Sequence, residues 1–435
     1  MAQLGRGMDS GISLDRLRRS VLIETISIPN YARLLAGQVI AAFGDRINQT
    51  ALLAIVVYVS TGNTAKYSAD IIFFGVLPYV ALGPFAMSLV DRMDRRRTMV
   101  GADLARALLA AVFPLVFYWV PHHYIVYILV FLMGACGAVF TPCRMALMPS
   151  LVPTGRLLPA NAIASQAGVV ATLATMPIAG WIVENLGRNS SFLINATTYL
   201  VSAVFLLRLV LPRRGEGVTR APRPRPVRDL RLGLGYLGRH REVASSVLAF
   251  SLMQGLVAVF FVAFLSYGVD VLGQTVGGVN LLFGAIGLGM GAGAVWMGSR
   301  PAHFEGALWP LLMMVGAGAG MWVLSLVFNP WLAAPVLFAI GGCAVTVLTP
   351  MDTFLQRAVP DRFRGRVFAV RGILVGSAFL FSLQFSKAIL RQLGTLTTFR
   401  TLAVASVVAG ILFALIQRRA ASLILSQKSD PMGGS

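Results

Sequence analysis

Asp45 and Arg46 stand side by side about halfway along an apolar run covering residues 31–60. Charge is costly to hold inside such a run, so the pair points to proton transfer, recognition of a charged group, or a fixed ion pair. Gln38, Asp45 and Gln49 follow at i, i+7 and i+11 and so share one face of a helix, with Asn48 beside them. That face is expected to line a cavity. Asp45 is the candidate for coupling to protons or for binding a cationic group. A static partnership with Arg46 or an Asn is the alternative.

A second set of charges sits where apolar runs end. Asp91, Arg92, Arg95 and Arg96 lie in the stretch DRMDRRR at 91–97, and Arg144, Asp352, Arg366 and Arg371 mark later junctions. Asp and Arg gathered at one membrane face can hold parts of a protein together through charge-assisted bonds, and breaking those bonds lets the parts separate. These residues form the expected cytoplasmic gate; the alternative is that the arginines only fix topology. Positive charge alone does not require the acids Asp91 and Asp94. Asp70, at the start of a run, is expected to be a solvated helix-start charge.

Phe250, Gln254 and Phe261 share a face of one run, and Phe379, Phe381, Gln384 and Phe385 lie in another. Aromatics with a few amides suit an amphipathic ligand, although ordinary helix packing uses the same residues. No Lys follows Gly and precedes Ser or Thr, so there is no ATP-binding loop, and no HExxH is present. With four histidines, two of them at His122–His123 in a loop, a metal site has little support. Neither an enzyme nor a cofactor is expected.

The elements that must position these residues are membrane helices. The chain of 435 residues is 57% hydrophobic and 12% charged, about half the charged fraction of a soluble domain. Twelve apolar runs, at 31–60, 68–90, 98–120, 123–147, 158–184, 190–212, 243–268, 276–299, 306–328, 331–356, 364–390 and 396–417, are each near the ~20 residues needed to cross lipid. Runs this continuous read as helices, since barrel strands would alternate. With the N-terminus inside, 30 of the 37 basic residues fall in inside segments, so both termini are expected in the cytoplasm of a cell-membrane protein. That asymmetry accounts for the net charge of +20 without nucleic acid.

Residues 1–30 are read as a cytoplasmic N-terminal segment without a cleavable leader, in which 12–27 form either a surface amphipathic helix or a solvated end. Residues 31–212 and 243–418 are two six-helix halves, 213–242 a basic linker and 419–435 a cytoplasmic tail. Pro222, Pro224 and Pro226 make the first part of the linker extended, and its second part suits a surface helix whose arginines meet anionic lipid. Cys136, Cys143 and Cys343 lie inside apolar runs as small buried hydrophobes. Gly287, Gly289, Gly291 and Gly293 allow close helix contact in the eighth run.

The halves repeat. TPCRMALMPSLVPTGRL at 141–157 corresponds to TPMDTFLQRAVPDRFRGRV at 349–367, with the Thr-Pro pairs 208 residues apart and the Val-Pro pairs 207 apart. Arg144 and Asp352 occupy equivalent places and are expected to pair across the halves. A two-half build places a substrate site at the interface, near mid-membrane.

The stretch LVDRMDRRRTMVGADLARA at 89–107 resembles the loop after the second span in the major facilitator superfamily, Gly-x-x-x-Asp-Arg-x-x-Arg-Arg. Asp91, Arg92, Arg95 and Arg96 match it, with Met87 in place of the Gly. Arg144, Pro149, Leu151, Val152 and Pro153, and then Pro360, Asp361, Arg364, Gly365, Arg366 and Val367, resemble stretches of its drug- and siderophore-exporter branch. ATMPIAGW matches the antiporter element of the fifth span at Pro177 and Gly180, with Met176 at its first Gly. The resemblance implies an all-α membrane protein of twelve transmembrane helices in two pseudo-symmetric halves. It also implies a proton-coupled, monomeric exporter of amphipathic small molecules that works by alternating access. AAFGDRINQT and TPCRMALMPSLVPTGRLLPANA are similar as well to bacterial lysophospholipid transporters of the same superfamily, which implies a lysolipid substrate instead. Gly44-Asp45-Arg46 has a remoter similarity to iron exporters, opposed by the scarcity of His and Cys. A non-transporting receptor or scaffold is the remaining alternative.

Overall fold

The computed structural model describes residues 23–59, 64–90, 93–119, 124–210, 226–299 and 308–428. The chain is a multi-pass membrane protein. Among the described residues nine helices are long and apolar enough to cross a membrane, and Trp309–Leu324 is a shorter apolar helix. In order they are α1 (Pro29–Val59), α2 (Thr64–Val90), α3 (Arg95–Trp119), α4 (Tyr124–Leu147), a bent helix Leu157–Leu207, the short α7 (Pro226–Arg239), α8 (Arg241–Ser266), α9 (Val276–Ser299), α10 (Leu308–Leu324), α11 (Pro330–Ala358) and a second bent helix Asp361–Lys428.

The two bent helices have 51 and 68 residues. Straight, even the shorter would reach about 75 Å, far beyond a ~30 Å hydrocarbon core. Each turns at one glycine: Gly187 has φ 81° and ψ 163°, and Gly394 has φ 73° and ψ 168°. Only glycine tolerates that backbone region. The arms are α5 (157–186) and α6 (188–207), and α12 (361–393) and α13 (395–428). Gly394 follows Gly187 by 207 residues, so the bends sit in the same register as the repeated Val-Pro pairs. Twelve spans result, six on either side of the linker.

Replacing Gly187 or Gly394 by Ala forces a Cβ into that region, which costs about 1–3 kcal/mol. Each variant is expected to lower the thermal unfolding midpoint in detergent. Gly101→Ala is the control, because its added Cβ meets open space at an ordinary helical φ.

The helix ends fall into two levels. One level carries residue 29, the α2–α3 and α4–α5 junctions, the linker, and the α9–α10 and α11–α12 junctions; it is called here the linker end, and the opposite level the far end. Buried apolar residues divide accordingly. The largest core joins both halves, through Leu52 and Ile55 of α1, Phe192 and Tyr199 of α6, Phe260 and Phe264 of α8, Val279 of α9 and Phe399 of α13. Towards the linker end the cores separate. Tyr31, Leu34, Met99, Phe140, Leu147 and Leu206 form one within the first half, and Tyr236, Val243, Leu355, Val359 and Val367 another beside the linker. The halves are therefore fastened through the middle and far end.

Large apolar side chains cover the outer surface, with Leu108, Val295 and Phe381 at least 66% exposed. Lipid is the environment that suits such a surface. Phe381 and Phe385 lie on it, their rings 4.4 Å apart, and not in a pocket as expected. Within α9, a Cβ on Gly289 would collide with the Phe338 carbonyl of α11, so this glycine lets two backbones touch. The described part of the linker is the helix α7, as its composition suggests. Most of the segment 12–27 lies outside the described residues, as do His122 and His123.

Candidate functional site

A cavity of about 830 Å³ lies between the halves at mid-bundle, and its two walls differ in chemistry. The first half contributes Asp45, Arg46, Asn48 and Gln49 from α1, Tyr79 from α2, Arg106 from α3 and Tyr199 from α6. The second half contributes methionines and phenylalanines: Met253, Phe260, Phe261, Phe283, Met290, Met314, Met321 and Phe379. Among the described residues no charged side chain lines that second wall. Methionine is unbranched and polarisable, so such a wall adapts to apolar bodies of differing shape.

The polar wall rests on a buried network. Tyr199 donates its hydroxyl to Asp45 Oδ1, joining α6 to α1. Behind the wall, Asp103 is fully buried, and its Oδ2 accepts a 2.7 Å bond from Ser202 of α6. One turn on, Arg106 Nη1 approaches Asp103 Oδ1 at 3.5 Å. The Arg106 guanidinium lies over the rings of Phe140 and Tyr199, 4.8 and 5.4 Å from their centroids. Such contacts hold a cation where water is excluded. Arg106 and Asp45 both line the cavity, with Asp103 behind them. Arg46 Nη1 donates to Gln49 at 2.7 Å, and among the described residues the hydrogen bond that Asp45 accepts comes from Tyr199. Asn48 lines the cavity with a buried Oδ1 that accepts no bond from the described residues.

Of the residues expected to form the pocket, Asp45, Arg46, Asn48, Gln49 and Phe261 line the cavity together with Phe379. Gln38, Phe250, Gln254 and Gln384 do not. Gln38 lies two turns nearer the linker end, where its Oε1 accepts from Arg144 at 3.2 Å. Phe250 sits under the Arg371 guanidinium, 4.1 Å away. Asp103, Arg106, Tyr79, Tyr199 and Asn280 were not singled out. The rule that picks out Asp45, charge inside an apolar run, applies equally to Asp103 and Arg106 and would have found them.

The described residues of the expected gate make local contacts in this state. Arg95 Nη1 bonds the Ala146 carbonyl of α4 at 2.6 Å, and Arg96 bonds the carbonyls of Leu206 and Leu207 at the end of α6. These arginines cap helix C-termini of their own half, where carbonyls lack helical partners. Arg144 Nη1 donates to Gln38 of its own half, while its expected partner Asp352 has its side chain outside the described residues, and Arg366 Nε donates to Asp229 of α7 at 2.9 Å. Asp91 and Arg92 lie outside the described residues, as does the side chain of Asp352.

Among the described residues, polar bonds between the halves lie at the opposite end. Lys387 of α12 donates to Asp70 of α2. Thr64 donates to Asp270 at 2.7 Å, the Gly277 N–H to Glu184 Oε1 at 2.8 Å, and Asn280 Nδ2 to Thr50 at 3.0 Å. Asp70 is thus half of a cross-half ion pair and not a solvated helix-start charge. Its partner is far away in sequence, which hid the pairing.

Comparison with known proteins agrees with this architecture. A model of the family described as Major Facilitator Superfamily matches residues 34–383. Macrolide efflux protein A of Streptococcus pyogenes is 24% identical over 369 residues, which cover 82% of this chain and 89% of that protein. An uncharacterized MFS-type transporter of Mycobacterium tuberculosis is 27% identical over 438 residues, covering 92% of this chain and 93% of that one. Among solved structures, an auto inhibited POT family peptide transporter superposes with a TM-score of 0.69 at 11% identity, covering 90% of this chain and 97% of that chain. At that identity the likeness is one of fold.

Proposed function

We propose, from the premise that the chain belongs to the Major Facilitator Superfamily, that it exports amphipathic small molecules across the cytoplasmic membrane in exchange for protons. The observation that carries this reading is the cavity with one charged and one apolar wall, shared by the two halves. A molecule with a polar end and an apolar body satisfies both walls at once, whereas a hydrophilic solute would leave the methionine and phenylalanine wall unmet. The efflux activity named for the streptococcal relative supports the outward direction. The intramembrane charges Asp45, Asp103 and Arg106 support coupling to protons.

The linker end is the cytoplasmic one in this reading. The basic excess of the sequence falls there, and Arg228, Arg231 and Arg239 on the exposed face of α7 suit anionic lipid headgroups. The state described is then open towards the cytoplasm. Asp91, Arg92 and Asp352 are the gate residues left to close the linker end in the opposite state.

Transport by the purified chain in proteoliposomes tests this. With an imposed pH gradient, tetraphenylphosphonium or a macrolide is expected to accumulate against its concentration, and a zwitterionic lysophospholipid to move little. Carriage of the lysophospholipid alone would turn the reading to lipid transport. Movement of none of the three would overturn it.

A further inference from the structure

Asp103 is a buried charge that the cavity's binding face leaves without a task. It does not line the cavity, and its surroundings answer only half of its needs. One carboxyl oxygen accepts from Ser202; the other, Oδ1, is buried without a hydrogen bond and has only the loose 3.5 Å approach of Arg106. A carboxylate held this way has room for a proton on Oδ1. The groups facing it are Arg106 on its own helix, Ser202 and Tyr199 on α6, Asp45 on α1 and Cys136 on α4, with Tyr79 of α2 facing Arg106. Arg46 is engaged with Gln49. Among these groups Arg106 is the guanidinium that approaches Asp103, and it lines the cavity together with Asp45.

We propose that Asp103 carries the coupled proton while Asp45 receives the substrate, with Arg106 as the switch between them; this rests on the exporter reading above. When a substrate's polar end engages Asp45, Arg106 turns to Asp103, the Oδ1–H bond breaks, and the proton leaves to cavity water. When the substrate departs, Arg106 swings back to Asp45, and a proton from water forms the O–H bond on Asp103 again. Substrate and proton therefore occupy the protein by turns, as exchange requires. The rings of Phe140 and Tyr199 support the guanidinium in the position it holds beside Asp103. Gly137 keeps the space open, because a Cβ there would collide with the Tyr79 hydroxyl and stand 3.4 Å from Arg106.

Radiolabelled tetraphenylphosphonium in proteoliposomes of the full chain separates the two roles. Wild-type protein is expected both to exchange the label without a gradient and to accumulate it under a one-unit pH gradient, up to about tenfold per proton. Asp103→Asn is expected to keep exchange within about twofold and lose accumulation, since each 1.4 kcal/mol of gradient is worth a factor of ten only when a proton moves. Asp103→Glu is expected to restore accumulation in part. Accumulation by Asp103→Asn at the wild-type level, or parallel loss of exchange and accumulation, would overturn the proposal. A second measurement needs no variant at Asp103: adding the cation to purified wild-type protein in weakly buffered detergent should release about one proton per cation bound. Binding without release overturns the proposal while leaving the exporter reading intact. Wild-type vesicles that carry none of the label overturn both.

Discussion

Asp45→Asn is expected to lower efflux by about ten- to a hundredfold while the protein still folds. Asn preserves the shape of the side chain and an oxygen for the Tyr199 hydroxyl, so the joint between α1 and α6 survives. What it removes is the charge at the polar wall of the cavity. Hydrogen bonds to a charged group are worth ~1.5–3 kcal/mol, and 2.7 kcal/mol is about a factor of a hundred. With a neutral residue at 45, Arg106 has only Asp103 to answer and no longer alternates. Initial efflux rates from everted vesicles, set against the amount of monodisperse protein, measure the effect. Tyr199→Phe removes one hydrogen bond but keeps the charge, so a loss of about fivefold is expected from ~1 kcal/mol. A wild-type rate in Asp45→Asn would remove Asp45 from the transport path.

How far such a site can be read from the sequence depends on where its partners lie. Asp45 is legible because a carboxylate inside an apolar run is rare and local. The span count and the two halves are legible because lipid imposes one length on every crossing and the linker interrupts the pattern. Even the bends belong to this class in retrospect, since Gly187 and Gly394 share the offset of the Val-Pro repeat. Tyr199 is another matter: 154 residues separate it from Asp45, and a Tyr in an apolar span has no distinguishing local mark.

Arg95 and Arg96 show a different limit. Arginines clustered at a membrane face are equally suited to gating, to topology and to capping exposed carbonyls, and spacing does not choose among the three. In the state described, both bond the carbonyl ends of α4 and α6. The loop motif thus contributes to holding the first half as one rigid body. Opening and closing then concern the bonds between the halves, and in this state those bonds are at the far end.

Breaking the far-end pair should move the protein between its two states more than any other single change outside the cavity. Asp70 and Lys387 are 15% and 24% exposed, so each is largely withdrawn from water. Removing one partner of such a pair leaves the other charge buried alone, at a cost of about 3–5 kcal/mol for fully buried pairs and less here. Opening the far end relieves that cost by admitting water, so the open state gains most of it. Even 2.7 kcal/mol shifts the balance about a hundredfold. Thr64 and the Gly277 N–H each give one hydrogen bond to a carboxylate, and Asn280 and Thr50 make a neutral bond; none of these sets two opposite charges together, so cutting one should count for less. The measurement is the labelling of Ser68→Cys, a buried cavity position near the far end, by a membrane-impermeant thiol reagent applied from that side. Cys136, Cys143 and Cys343 are replaced by Ser beforehand, because Cys343 also lines the cavity. Asp70→Asn is expected to speed labelling by about ten- to a hundredfold, and Lys387→Gln to do the same. Exchanging the two charges, Asp70→Lys with Lys387→Asp, restores an attractive pair and should slow labelling again. If the single variants label at the parental rate, the pair does not hold the far end closed, and the other hydrogen bonds and the shared apolar core must suffice to keep the halves together.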